Sequence, residues 1–202
     1  MQAGIALTQL LLGDKSGALV TAAAIEADLE KADALMQMGV NRLTAGKPTE
    51  AREMLLAPSQ AAQRVVPAMR RGGWPPQSAK AATLGFIARE QAKAGDVKEA
   101  LRTANTIPTD QAMDEALAGI APAEAEAGDL KGARETVARI RDETSKAAAL
   151  DDLAQVLARA GHEKDALALA ARQTSPAVKA RALLGVILGK TKAKLPKQES
   201  PK

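Results

Sequence analysis

Apolar residues recur along the chain at helical spacing, and a glycine interrupts each run at a regular distance. An alanine stands five residues after every one of these glycines, and an aspartate directly follows most of them. The glycines are Gly13, Gly46, Gly95, Gly128 and Gly161, separated by 33, 49, 33 and 33 residues. A fixed period of this size is typical of repeat proteins. The pattern predicts an all-α fold of about five helix hairpins.

Each glycine is predicted to end one helix and to precede the start of the next. Gly95 fits the C-terminus of a helix because glycine adopts the left-handed conformation there without strain. Asp96 then fits the N-cap of the next helix, and Glu99 completes a capping-box pattern. Similar starting roles are predicted for Asp14, Asp129 and Pro48. The other helices of the later hairpins are predicted to start near Thr109, Asp142 and Ser175.

The apolar positions form columns that repeat with the same period. The glycine-led helices are predicted to bury Ala18, Ala51, Ala100, Ala133 and Ala166. The other helices are predicted to bury Leu35, Leu84, Leu117, Leu150 and Leu183. Four residues later, a small side chain suits a close helix crossing in Gly39, Ala88, Ala121 and Ala154. Since one hairpin cannot cover its own apolar face, the hairpins are predicted to stack into an α-solenoid.

The sequence GDVKEAL at residues 95–101 resembles the opening of the second helix in tetratricopeptide repeats (TPRs). The small residue seven positions before each glycine, and the apolar residue one earlier, also fit that family. The chain differs in its period, which is one residue shorter, and in lacking the family's aromatic residues. The resemblance covers about residues 3–190. It implies a right-handed stack that binds a protein or peptide in a concave groove.

The groove positions implied by this resemblance carry mixed side chains. They include Met36, Val40 and Thr44 on the first helix of one hairpin. The predicted partner contacts among them are Arg89, Lys93, Glu115, Gln155 and Arg159. The lysine–asparagine clamp with which related domains hold a chaperone's C-terminal carboxylate is absent, so binding of such a tail is not predicted.

The one irregular glycine spacing places extra residues within 57–78. A separate short helix is predicted to begin at Ser59, after Pro58, and a stretch rich in glycine and proline follows. Insertions in repeat proteins often lie on the binding face, which predicts a loop that contacts the partner. Its candidate contact residues are Arg70, Arg71 and Trp74. The alternative is that Trp74 folds back and fills a gap between the second and third hairpins.

Charge and composition narrow the classes of function. The net charge is +4, and the tail predicted at 190–202 supplies all of it, so the solenoid predicted at 1–189 is neutral. The tail is rich in lysine and is predicted to be disordered. A neutral body lacks the basic groove that a nucleic-acid-binding solenoid needs. The chain has no cysteine, which excludes disulfides, and neither a signal peptide nor a membrane span is predicted.

The residues that carry catalytic or metal chemistry are scarce. His162, the single histidine, follows a repeat glycine and is predicted to start a helix. The acidic residues Asp142, Glu143, Asp151 and Asp152 are predicted to be solvated. No enzyme activity, metal or cofactor is predicted. The chain is predicted to be a protein–protein interaction scaffold. The alternatives are a nucleic-acid-binding helical repeat protein or a fragment of a larger multi-domain protein, and the cell compartment stays open.

Overall fold

The chain is all-helical in the part that the structure describes. This computed structural model describes residues 2–64, 76–171, 173 and 175–194, and these ranges contain no strand. The helices are α1 (Gln2–Leu11), α2 (Lys15–Ala23), α3 (Asp28–Thr44), α4 (Pro48–Arg64), α5 (Pro76–Lys93), α6 (Val97–Ala104), α7 (Asp110–Glu126), α8 (Leu130–Arg139), α9 (Glu143–Arg159), α10 (Glu163–Ala171) and α11 (Pro176–Lys194). The all-α class predicted from the glycine period is confirmed.

The chain divides into two compact units, Met1–Ala116 and Leu117–Lys202, and the boundary falls within α7. In the first unit, α1 packs against α2, α3 against α4, and α5 against α6. The helices α1, α3 and α5 also contact one another in chain order. In the second unit, α9 contacts α8, α10 and α11. The first unit is therefore built mainly from helices that are neighbours along the chain, whereas the most extensive packing in the second unit joins α9 to α11.

The turn at each repeat glycine has the geometry that the sequence predicts. The five glycines have φ between 71° and 90°, and within the described ranges no other residue has a positive φ. The Gly95 N–H donates to the Ala92 carbonyl at 2.8 Å, and the Asp96 N–H donates to the Gln91 carbonyl at 2.9 Å. This pair of bonds is a Schellman motif, which satisfies the last carbonyls of α5.

The aspartates that follow the glycines cap the next helices. Carboxylate oxygens of Asp14 and Asp129 accept the backbone N–H three residues ahead at 2.8 Å, and that of Asp96 does so at 3.4 Å. These N-caps are confirmed. The reciprocal bond of the predicted capping box is not made, because the Asp96 N–H already donates to α5. The carboxylate of Glu99 pairs with Arg102 instead.

The N-cap predicted at Asp142 is also confirmed. Its carboxylate accepts the backbone N–H of Ser145 at 2.7 Å. This hydrogen bond, with a further one from the Ser145 hydroxyl, holds the pKa of Asp142 below its ordinary value of 3.8. The acidic side chain therefore has a structural role at the start of α9.

The repeating columns form the core, with one exception. The alanine column is fully buried at each position, and the leucine column is buried at Leu35, Leu84, Leu117 and Leu150. Leu35 lies in one cluster with Met38 of its own helix and Met54 of α4. The prediction for Leu183 is wrong, since 38% of this residue is exposed. The described residues contain no helix after α11 that covers this side chain.

Two helices are longer than the sequence suggests. α4 runs through Pro58 to Arg64, so the prediction of a separate helix starting at Ser59 is wrong. Pro58 has no N–H to donate within α4, and the nearby Leu55 carbonyl accepts a bond from the Gln91 side chain at 2.9 Å. α11 extends to Lys194 and includes the start of the segment predicted to be disordered. Residues 195–202 lie outside the described residues.

Candidate functional site

A concave cavity opens on the first unit where α3 lies beside α1 and α5. Its volume is about 400 Å³. The lining residues are Leu7, Met36, Gln37, Val40, Asn41, Thr44 and Phe86. Met36, Val40 and Thr44 are groove positions that the TPR resemblance implies, and they lie on one wall because they are about one turn apart on α3. Leu7 of α1 and Phe86 of α5 supply the other walls.

The cavity combines half-buried apolar side chains with a polar border along α3. Gln37 Nε2 donates to Asp33 Oδ2 at 2.8 Å. The hydroxyl of Thr44 donates to the Asn41 carbonyl at 2.9 Å. Asn41 Oδ1 accepts hydrogen bonds from the guanidinium of Arg42. Neighbours on the same helix thus orient the amide groups that border the apolar surface.

Two of the predicted contact residues, Arg89 and Lys93, lie on α5, the helix that contributes Phe86 to this cavity. The Cζ atom of Arg89 lies 5.8 Å from the centre of the Phe86 ring, which is a cation–π distance. Lys93, one turn later, is exposed and its Nζ lies 2.6 Å from Glu90 Oε1. Arg89 therefore lies beside a residue that lines the cavity, whereas the charge of Lys93 is offset by its neighbour.

The other predicted groove residues are on α7 and α9. Glu115 is exposed and accepts a hydrogen bond from Gln111 Nε2 at 3.3 Å. Arg159 is also exposed, and its Nη2 lies 3.2 Å from Glu126 Oε1. Gln155 is half-buried one turn before Arg159. These side chains are available on the surface, and each charged one is already paired or hydrogen-bonded.

The contact residues predicted in the insertion, Arg70, Arg71 and Trp74, lie outside the described residues. α4 ends at Arg64 and α5 begins at Pro76, so both helices extend into the segment 57–78. Whether Trp74 contacts a partner or fills a gap therefore stays a prediction.

A repeated polar pair was missed in the sequence. Four residues before a repeat glycine stand Gln9, Gln91 and Glu124, and eight residues after it stand Thr21, Thr103 and Thr136. The hydroxyl of Thr21 donates to Gln9 Oε1 at 2.7 Å, and Thr136 makes the equivalent bond with Glu124. The constant separation of 12 residues was a readable signal. In α1–α2 and α7–α8 this pair joins the two helices of a hairpin through side chains. In α5–α6 the buried Gln91 Oε1 and Thr103 Oγ1 atoms have no hydrogen-bond partner among the described residues.

Glu124 is the titratable member of these pairs. Only 3% of this residue is exposed, and its Oε2 atom has no hydrogen-bond partner among the described residues. Burial raises the pKa of Glu124 above its ordinary value of 4.5, although the hydrogen bond with Thr136 lowers it. The nearby Asp129 adds to the rise, and Arg139 opposes it. A carboxyl group is therefore buried where the preceding hairpin has a neutral amide.

Further candidate chemistry is sparse in the described residues. A second cavity of about 400 Å³ lies between α8, α9 and α10, and an ion pair of 2.6 Å between Arg134 and Asp165 borders it. His162 is exposed beside Asp165, at 3.9 Å. No group of three or more His, Cys, Asp or Glu residues suited to a metal ion occurs in these ranges. None of the helices there is both long and apolar enough to span a membrane.

The chain was compared with protein-family models, curated proteins and solved structures, and none of them matches. The described residues therefore define the class directly: an all-α protein in which consecutive helix hairpins create a concave, partly apolar cavity.

Proposed function

We propose that the chain is a non-enzymatic scaffold for protein–protein interaction, built as a TPR-like stack of hairpins. The observation that carries this proposal is the cavity on the first unit, which lies at the groove positions that the TPR resemblance implies. Its volume of about 400 Å³ falls in the range of ligand-binding pockets, roughly 300–1,000 Å³. No catalytic set accompanies it in the described residues, which favours binding over chemistry.

The lining of the cavity suits an apolar anchor of a peptide. Met36, Val40 and Phe86 offer apolar contact, and the amides of Gln37 and Asn41 at the border provide hydrogen bonds to a peptide backbone. Recognition of an amphipathic helix or an extended segment uses this combination of apolar anchors and polar border. Arg89 next to Phe86 adds a preference for acidic residues beside the anchor.

The proposal is tested by selecting binders to the full chain from a random peptide display library. We expect selected peptides to carry an aliphatic or aromatic anchor, and Val40→Glu to weaken their binding at least about tenfold, since it places a charge in the cavity. Val20→Glu is the matched control, because Val20 is 71% exposed on α2 and does not line the cavity. An equal loss of peptide binding in Val40→Glu and Val20→Glu, or a failure to select any peptide, would contradict the proposal.

The insertion is tested with the same peptides. We propose that Arg70, Arg71 and Trp74 contribute to binding, and we expect their joint replacement by alanine to weaken it without changing the melting temperature. A lowered melting temperature with unchanged binding would instead support Trp74 as a core plug.

The nucleic-acid alternative predicts a different result. The chain lacking 195–202, which keeps α11 whole, would then retain tight and salt-sensitive binding of single-stranded nucleic acid in a gel shift. Such binding would contradict a protein-binding role for the groove. We expect weak binding that disappears at moderate salt.

A further inference from the structure

The last described helix presents an exposed apolar face. This face, called the outer face of α11 below, consists of four aliphatic residues. They are Leu183, Leu184, Ile187 and Leu188, with exposures of 38%, 49%, 59% and 37%. The opposite side of the helix is buried through Val178, Ala182 and Val186. The contact with α9 is close, since a Cβ on Gly185 would lie 2.4 Å from the Asp151 carbonyl oxygen. One side of α11 is thus packed against α9, and its exposed side is apolar as well.

Basic residues border the outer face on both edges. Because successive helical residues advance by about 100°, Lys179 and Lys190 fall on one edge and Arg181 on the other, and these three side chains are exposed. Lys190 pairs with Glu163 of α10 at 2.5 Å. Among the described residues, Lys179 and Arg181 have no carboxylate partner. α11 itself contains no acidic residue.

A further hairpin of the same kind does not suit the outer face. At the position of Ile187 the other hairpins have Gly39, Ala88, Ala121 and Ala154. In α3 this position is tightly packed, since a Cβ on Gly39 would lie 2.6 Å from Leu55 Cγ. A branched side chain in the same place holds a crossing helix away.

A second copy of the chain and a specific protein partner fit less well than a lipid surface. Two copies of α11 would bring basic edges together without an acid on the helix to pair with them. Residues 183–188 have no side-chain hydrogen-bond donor or acceptor, which a protein partner would use for directional recognition. Lipid acyl chains need no such groups.

We propose that the outer face of α11 docks on a membrane surface that contains anionic lipid. The four aliphatic side chains enter the region between headgroups and acyl chains, and the lysine and arginine side chains on the edges extend to the lipid phosphates. Both signals are needed, since attraction by basic residues and burial of apolar area each give only modest binding. This surface lies in the second unit and contains none of the residues that line the cavity on the first unit.

The test is co-sedimentation of the full chain with vesicles of phosphatidylcholine alone or with about one third phosphatidylserine. We expect binding to the anionic vesicles only, weakening as salt is raised. Ile187→Glu should reduce the partition coefficient at least about tenfold, because it places a negative charge in the apolar face that would enter the lipid. The double variant Lys179→Gln with Arg181→Gln should reduce it about 25-fold, roughly fivefold per charge.

Matched controls separate docking from general stickiness. Leu167→Glu changes a leucine of α10 that is 42% exposed, and Lys98→Gln with Lys131→Gln removes two exposed charges elsewhere; both should bind like the parent. Absence of vesicle binding, or equal binding to both vesicle types, would overturn the proposal. So would self-association that Ile187→Glu abolishes in the absence of lipid, since the face would then serve a second copy.

Discussion

The hairpins α5–α6 and α7–α8 use the same two positions in chemically different ways. α5–α6 places Gln91 and Thr103 there, and the Gln91 amide reaches across to the Leu55 carbonyl of α4. α7–α8 places Glu124 and Thr136 there, with the carboxyl group buried. The turn and the caps between the helices are otherwise alike. The comparison shows that the shared turns and columns specify the hairpin. The polar pair differs in ionisation, since one hairpin buries a neutral amide and the other a titratable carboxyl group.

The largest expected effect tests what the two hairpins share. Ala133→Leu on α8 and Ala100→Leu on α6 should each lower the free energy of unfolding by ~1–3 kcal/mol, because both alanines are fully buried. Urea unfolding followed by circular dichroism measures this. Ala138→Leu is the control on α8, since Ala138 is exposed, and its change should stay within about 0.5 kcal/mol. Equal stability of all three variants would show that the alanine column is not interior.

The next effect tests the difference at Gln91. Gln91→Glu keeps the size of the side chain and removes the N–H donor to Leu55, so a buried carbonyl and a carboxylate face each other. We expect a loss of about 2 kcal/mol at neutral pH. Gln2→Glu is the control, since Gln2 is exposed on α1. A neutral result at Gln91 would mean that the bond to α4 contributes nothing to stability.

The turn glycines give a smaller and graded effect. Gly128→Ala should cost about 1 kcal/mol, because alanine is strained at its φ of 90°. Gly95→Ala should cost more, since its new Cβ would lie 2.4 Å from Nη2 of Arg52. A Cβ added at Gly128 would have no such neighbour within 4 Å. The same unfolding experiment compares them. An equal cost at both sites would show that Arg52 moves aside freely.

Features that depend on a few consecutive residues could be predicted from the sequence. The left-handed turn at Gly95 and the cap at Asp129 follow from local geometry, and the burial of Ala133 follows from the repeating alanine column. The cavity could be predicted only in part, because Met36 and Val40 share a helix, whereas Leu7 and Phe86 reach it only through the packing of three helices. No local signal predicts that packing.

The polar pair of Gln or Glu with Thr could be predicted only in part. Its spacing is regular, but Gln and Glu before a helix end are ordinary surface residues in most helices, so the pattern did not indicate burial. Pro58 shows the opposite error. A proline predicts a helix end, yet α4 continues through Pro58, which is buried in the first unit. Tertiary packing decided both outcomes.

The smallest expected effect is a change in pH dependence at Glu124. Below pH 4.5 its carboxyl group is protonated in both the folded and unfolded chains, so burial costs little. As pH rises above 4.5, the unfolded chain releases this proton first, because the pKa of Glu124 is raised in the folded state. The free energy of unfolding therefore falls through the window between 4.5 and the raised pKa, and then levels off.

Glu124→Gln gives α7–α8 the amide that α5–α6 has at this position. It should therefore remove the fall in the free energy of unfolding as pH rises. The variant and the parent should have similar urea midpoints at low pH, and the variant should become the more stable one as pH rises to neutral. Glu115→Gln on the same helix is the control, because Glu115 is exposed and should leave the pH profile unchanged. Parallel pH profiles for the parent and Glu124→Gln would mean that the carboxyl group is solvated, and that the two hairpins differ in sequence without differing in energetics.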